Sequence, residues 1–106
     1  MSKEIIEKIK QFREERDWKK FHTPENLAKS ISIESGELLE CFQWEGDNFI
    51  LDNVKDEIAD IYIYLTLMAE DLNLELDVIA EEKLKKNKEK YPISKSKGKS
   101  TKYNKL

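Results

Sequence analysis

Apolar residues recur along this chain at steps of three and four, in several separate runs, and that period is the signature of amphipathic helices. Ile5, Ile6, Ile9 and Phe12 form one stripe and predict a first helix from about Lys3 to Asp17, with Ser2 as its N-cap. The segment RDWKKFHTP then breaks the period and leaves Trp18, Phe21 and His22 on a connection. Thr23, Pro24 and Glu25 supply the cap, first-turn proline and first-turn acid of a second helix. Leu27, Ile31, Leu38 and Phe42 lie on its core face, and it is expected to fray near Gln43–Trp44 and to end at Gly46.

After a short acidic connection, Glu45–Asn53, in which Phe49, Ile50 and Leu51 are expected to form a turn docked on the core, a third helix is predicted from about Asn53 to Leu72. Val54, Ile58, Ile61, Leu65, Met68 and Leu72 give it a three-four stripe of the kind found at a bundle seam. Ala59, Tyr62, Ile63, Tyr64, Leu67 and Ala69 make the same helix apolar nearly all round, so it needs cover from its own chain or from a second copy. Asn73 suits a left-handed stop, and Asp77 an N-cap for a fourth helix that runs to about Tyr91, where Pro92 closes it. The remaining SKSKGKSTKYNKL is low in complexity, basic, and by itself expected to be disordered. The pattern is that of an all-α protein: a four-helix domain over residues 1–92 and a basic tail over 93–106.

Composition agrees with this. In 106 residues, apolar and charged types each make up 39%, with three Gly and two Pro, a balance that suits helices better than sheets. The lone Cys41 can form no internal disulfide, Ser2–Lys10 alternates charge with isoleucine, and no apolar run approaches the roughly 20 residues of a membrane span. A cytoplasmic protein without a membrane partner is the expectation. The net charge of −3 hides an asymmetry. Thirteen acids face one base, Lys55, between Glu34 and Asp77, whereas Ile93–Leu106 holds five lysines and no acid. An acidic middle repels a nucleic-acid polymer and attracts cations.

Within that acidic middle, ESGELLECFQW and DEIADIYIY carry Glu37/Glu40 and Glu57/Asp60 at helical spacing, with Glu34 one step further back. Residues three apart on a helix are neighbours, so each pair can aim at one spot, and two such helices side by side bring four carboxylates together. Asp60 sits among apolar residues with no Lys or Arg within four positions. Burying a carboxylate without a partner costs several kcal/mol, which protonation, an arginine from the first helix or a bound cation could offset. A cation answers for both pairs at once. All the candidate ligands are oxygens, which suits Mg²⁺, Mn²⁺ or Ca²⁺ rather than zinc. A carboxylate-bridged di-iron site would need Glu-x-x-His pairs, and the only histidine is His22.

ESGELLE, followed sixteen residues later by EIAD with FQW between, resembles the MazG-like nucleotide pyrophosphohydrolases, and FREERDWKKFHTPENL with KLKKNKEKYP and the late KY is similar to their dCTP pyrophosphatase branch. The resemblance covers roughly residues 12 to 103. It implies a four-helix bundle assembled as a dimer or dimer of dimers, and hydrolysis of a (deoxy)nucleoside triphosphate, dCTP-like, to monophosphate and pyrophosphate. Glu37, Glu40, Glu57 and Asp60 would hold Mg²⁺, with Mn²⁺ as a substitute, and Glu34 would assist from beside them. Trp18, His22 and Trp44 would form the base site with Tyr64 nearby. Lys83, Asn87, Lys90 and Tyr91 would approach the phosphates, and Lys102 and Tyr103 would close over them. Two departures stand out: Gly36 precedes Glu37 where many MazG proteins have paired glutamates, and the connection from Trp44 to Glu57 is short. Two other classes share the pattern, a non-catalytic regulatory or interaction bundle and a metal-buffering carboxylate bundle.

Overall fold

The computed structural model describes residues 2–44 and 46–106; Glu45, expected in the connection after the second helix, lies outside them. The described residues form helices α1 (Lys3–Glu15), α2 (Pro24–Glu40), α3 (Leu51–Asp71), α4 (Leu76–Lys90) and the single turn α5 (Ile93–Ser96), with 3-10 turns at Lys19–Phe21, Gly46–Asn48 and Tyr103–Lys105 and no strand. Two compact units result, residues 1–73 and 74–106. No helix among the described residues is long and apolar enough to cross a membrane.

Local chemistry sets the boundaries. α1 stops two residues before the predicted end because Asp17 takes a left-handed conformation (φ 53°), and the Trp18 N–H turns back to the Arg13 carbonyl at 3.2 Å. At the next corner Thr23 Oγ1 accepts from Asn26 N–H at 3.1 Å, while the Asn26 amide donates to the Phe21 carbonyl at 3.0 Å. Thr23 is thus the predicted cap and Pro24 opens the helix. α3 begins earlier than predicted, at Leu51, since extended Ile50 offers its carbonyl to the first turn. The expected docked turn is therefore split. Phe49 packs on Phe42 with ring centres 4.9 Å apart, while Ile50 and Leu51 stay exposed. Asn73 (φ 56°) is the left-handed stop after α3, and the N-cap position of the next helix falls on Glu75, whose side chain makes no capping bond, while Asp77 falls in its first turn.

In the first unit, Leu27 of α2 and Leu67 of α3 share the buried core with Ile9 of α1. Ten residues nearer the connecting loop on both helices, Glu37 lies beside Glu57. Equal offsets in opposite directions make α2 and α3 an antiparallel hairpin. α1 runs alongside α3 in the same direction, since Ile9 meets Leu67 and, four residues on in both, Arg13 meets Asp71. Burial is concentrated where all three helices meet. Leu27 is fully enclosed, Ile31 and Leu38 are half-buried, and Phe42 at the loop end is exposed. On the other side of α3, Leu51, Ile58, Leu65 and Leu72 recur every seven residues and are all exposed in the single chain, with only Val54 of the expected seam buried.

The second unit carries α4, with Lys83, Asn87 and Lys90 at steps of four and three and Tyr91 just past its end. Its end departs from the expected disorder. Tyr103 meets Tyr91 edge-on with ring centres 6.1 Å apart, and the Lys90 ammonium sits 4.8 Å from the Tyr103 ring centre.

Candidate functional site

The α2–α3 hairpin brings one carboxylate oxygen each of Glu34, Glu37 and Glu57 within 4.8 Å of one another. Among the described residues, none of the ion pairs reaches these three or Asp60. Arg13 does not neutralise the site, because its fork is taken by Asp71 through two bonds of 2.7 Å. The Oε2 oxygens of Glu34 and Glu57 are buried and accept from no donor. Burial is the main force that pushes the Glu34 carboxyl up to about 7, reinforced by proton sharing with Glu37 and Glu57 and by the charges of Glu37 and Asp60. Glu57 is raised for the same leading reason, against the lowering effect of a hydrogen bond with Glu34, with Glu37 and Asp60 adding to the rise. Ionised carboxylates have only acceptors, so such a group asks for a proton or a cation. The donor set is all oxygen, which fits a hard divalent ion.

Asp60 adds its charge to this group from the next turn of α3 and also lines a cavity on the side toward α1. The cavity, about 420 Å³, is walled by Ile9, Phe12, Arg13, Trp18, His22, Ile63, Tyr64 and Leu67, together with Lys8 and Asp60. Such a volume lies in the range of small-molecule sites. Trp18 stands edge-on to Phe12 at 5.7 Å, and His22 edge-on to Tyr64 at 6.2 Å. The His22 Nδ1 is buried without a partner. Burial is the first cause that lowers its pKa, with Arg13 second, so a neutral imidazole faces the cavity and can donate or accept.

The sequence-derived residues therefore separate into groups. Glu34, Glu37 and Glu57 converge, with Asp60 between them and the aromatic cavity that takes in Trp18, His22 and Tyr64. Glu40, the last residue of α2, is exposed and outside the close group of oxygens. Trp44 is 85% exposed and beyond the far end of α2 from Trp18; seventeen helical residues span about 25 Å. Lys83, Asn87, Lys90, Tyr91, Lys102 and Tyr103 all belong to the second unit, where Lys90, Tyr91 and Tyr103 touch. Arg13 and Asp71 were missed by periodicity. The signal for Arg13 is a cation in the stripe of α1, one residue after Phe12, but nothing local names its partner 58 positions away.

Residues 29–106 match the MazG-like family. The chain is similar to dCTP pyrophosphatase 1 of mouse (33% identical over 105 residues) and of cattle (34%), over 91% of this chain and 62% of each of those proteins. It thus spans somewhat under two thirds of the length of these curated relatives. Among solved structures it is similar to a pyrophosphatase from Archaeoglobus fulgidus, with a TM-score of 0.79 and 40% identity over 84% of this chain and 90% of that one. With the family matched over most of its length, and the resemblance noted in ESGELLE and EIAD carried by a hairpin that joins their acids, this chain belongs to the MazG-like family.

Proposed function

We propose that the chain hydrolyses a nucleoside triphosphate, dCTP-like, between the α- and β-phosphates, giving the monophosphate and pyrophosphate. The observation that carries this reading is the adjacency of a carboxylate group with unpartnered buried oxygens to an aromatic cavity, with Asp60 common to both. The names of the mouse, bovine and archaeal relatives support it.

Glu34, Glu37, Glu57 and Asp60 are the residues that would hold Mg²⁺, or Mn²⁺ in its place. Glu34 stands in this set in place of Glu40 because its oxygen lies within 4.8 Å of those of Glu37 and Glu57, and Asp60, outside that close group, is kept because its charge acts on Glu34 and Glu57. When bound, the ion supplies neutralisation of the triphosphate and acidifies water for attack. The chain's own residues do the rest. The acids on α2 and α3 set the phosphate end, and Trp18 and Tyr64 offer flat apolar surface to the base. Neutral His22 presents one donor or acceptor to its edge. Stacking of this kind is worth roughly 1–3 kcal/mol per base. Within the second unit, Lys83, Asn87, Lys90, Tyr91, Lys102 and Tyr103 are candidates for phosphate binding on charge grounds alone, since ten lysines face five acids from residue 74 onward.

A second copy belongs to this proposal. Only Ile9, Leu27, Val54, Leu67 and Ala69 are buried apolar residues among those described, while Leu51, Ile58, Leu65 and Leu72 line one exposed seam. Seven-residue spacing on a helix suits packing against another helix, so a dimer or dimer of dimers is expected. Incubation with each dNTP, with Mg²⁺ and with chelator, tests the function: metal-dependent loss of triphosphate supports it, and no turnover of any dNTP overturns it.

A further inference from the structure

We propose that the Arg13–Asp71 ion pair is a positioning element of the nucleotide cavity, tying the last turn of α1 to the last turn of α3 so that Trp18 is held as a wall for the base. This role rests on the reading of the cavity as a nucleobase site.

The geometry is specific. Both guanidinium nitrogens of Arg13 donate to the two oxygens of Asp71 at 2.7 Å, the planar fork-to-carboxylate match that fixes direction as well as distance. The Arg13 side chain is 6% exposed and that of Asp71 14%, so water does not compete strongly for the pair. Arg13 itself lines the cavity. Its carbonyl accepts the Trp18 N–H across the left-handed turn at Asp17, so the residue that grips α3 also anchors the tryptophan. The indole is braced from the other side by Phe12, whose ring carries the Arg16 guanidinium at 3.7 Å. Trp18 thus hangs on a short arm whose base is clamped to α3, the helix that carries Asp60 and Tyr64.

A second consequence concerns charge. Because Asp71 takes its fork, Arg13 reaches the cavity wall already neutralised and offers no strong site to a phosphate. The other cation of the wall, Lys8, is paired with Glu4 at 3.3 Å, so the cavity suits an uncharged ring and the triphosphate is left to the carboxylate end. A lysine at this position would keep the charge and lose the fork.

The test compares dCTP with 2-deoxyribose 5-triphosphate, which keeps sugar and phosphates but lacks the base, for Asp71→Asn, Arg13→Lys and the reciprocal double variant Arg13→Asp/Asp71→Arg. The single variants are expected to raise KM for dCTP about tenfold, with kcat within about twofold and the KM of the base-free triphosphate unchanged. The reciprocal pair should recover most of the loss. Equal effects on both substrates, or none on either, would overturn the positioning role. If Asp71→Asn does not fold, Arg13→Lys decides alone, since it leaves a cation opposite Asp71. Should wild-type protein turn over neither compound, the enzymatic reading fails separately. Calorimetric binding of dCTP against the base-free triphosphate then judges the pair by the same criterion, and binding of neither overturns both.

Discussion

Glu34 and Glu57 face each other across the α2–α3 hairpin, each with an Oε2 oxygen that is buried and accepts from no donor. Like charges held this way destabilise the metal-free chain and make it receptive to a cation. Glu57→Gln and Asp60→Asn should therefore cut turnover at saturating Mg²⁺ by at least about a hundredfold. In chelator, the same variants should melt no lower than wild type, because they relieve repulsion while keeping shape. Near wild-type turnover by either variant would remove that residue from the site.

Glu34 and Glu40 are separated by the same kind of experiment. Both stand three residues from Glu37, so spacing alone admits either as its partner. In the hairpin it is Glu34 whose carboxylate oxygen lies within 4.8 Å of those of Glu37 and Glu57, and metal binding separates the two candidates. Titration with Mn²⁺ followed by calorimetry should show Glu34→Gln weakening binding at least about tenfold and Glu40→Gln by less than about threefold. The reverse order would restore Glu40 as the ligand.

This contrast shows what the pattern along the chain contains and what it lacks. The four long helices, the Thr23–Pro24 start and the Asn73 stop are set by local chemistry, so they are legible locally. The choice between Glu34 and Glu40 depends on how two helices are aligned, and the Arg13–Asp71 pair on which faces meet across 58 residues. Periodicity gives faces, not partners. Composition alone reads the C-terminal segment as disordered, whereas its end meets α4 and the residue after it through Tyr103, which touches Lys90 and Tyr91.

Trp18 and Trp44 are expected to behave differently in mixtures. Trp18→Ala should raise KM for dCTP about tenfold with little change in kcat, since stacking on a remote base is nearly uniform between ground and transition states. Trp18 and Asp60 line one cavity of one chain. Mixing Asp60→Asn with Trp18→Ala subunits should therefore restore nothing. Trp44 is 85% exposed and does not line the cavity of its own chain. Mixing Asp60→Asn with Trp44→Ala subunits should recover low-substrate activity if Trp44 reaches the partner's base. Recovery in the first mixture, after proven subunit exchange, would contradict a cavity built within one chain.

Acid should expose the Arg13–Asp71 tie. The bonds from Arg13 hold Asp71 below its ordinary value of 3.8 despite the opposing effect of burial. A depressed carboxylate contributes stability that is complete above its unfolded pKa and is lost as pH falls through the folded one. At neutral pH, Asp71→Ala should cost about 3–5 kcal/mol by stranding a buried guanidinium. That gap in melting temperature should stay level above pH 4 and narrow below it. A gap independent of pH down to 2 would mean that the pair contributes nothing through charge.

Cleavage between the α- and β-phosphates is the step that defines this chemistry. ³¹P NMR of dCTP incubated with the protein and Mg²⁺ distinguishes pyrophosphate from orthophosphate directly. The expected spectrum shows dCMP and pyrophosphate growing in equal amounts, and neither in the presence of chelator. Orthophosphate with dCDP, or an unchanged triphosphate after prolonged incubation of folded protein, would contradict it.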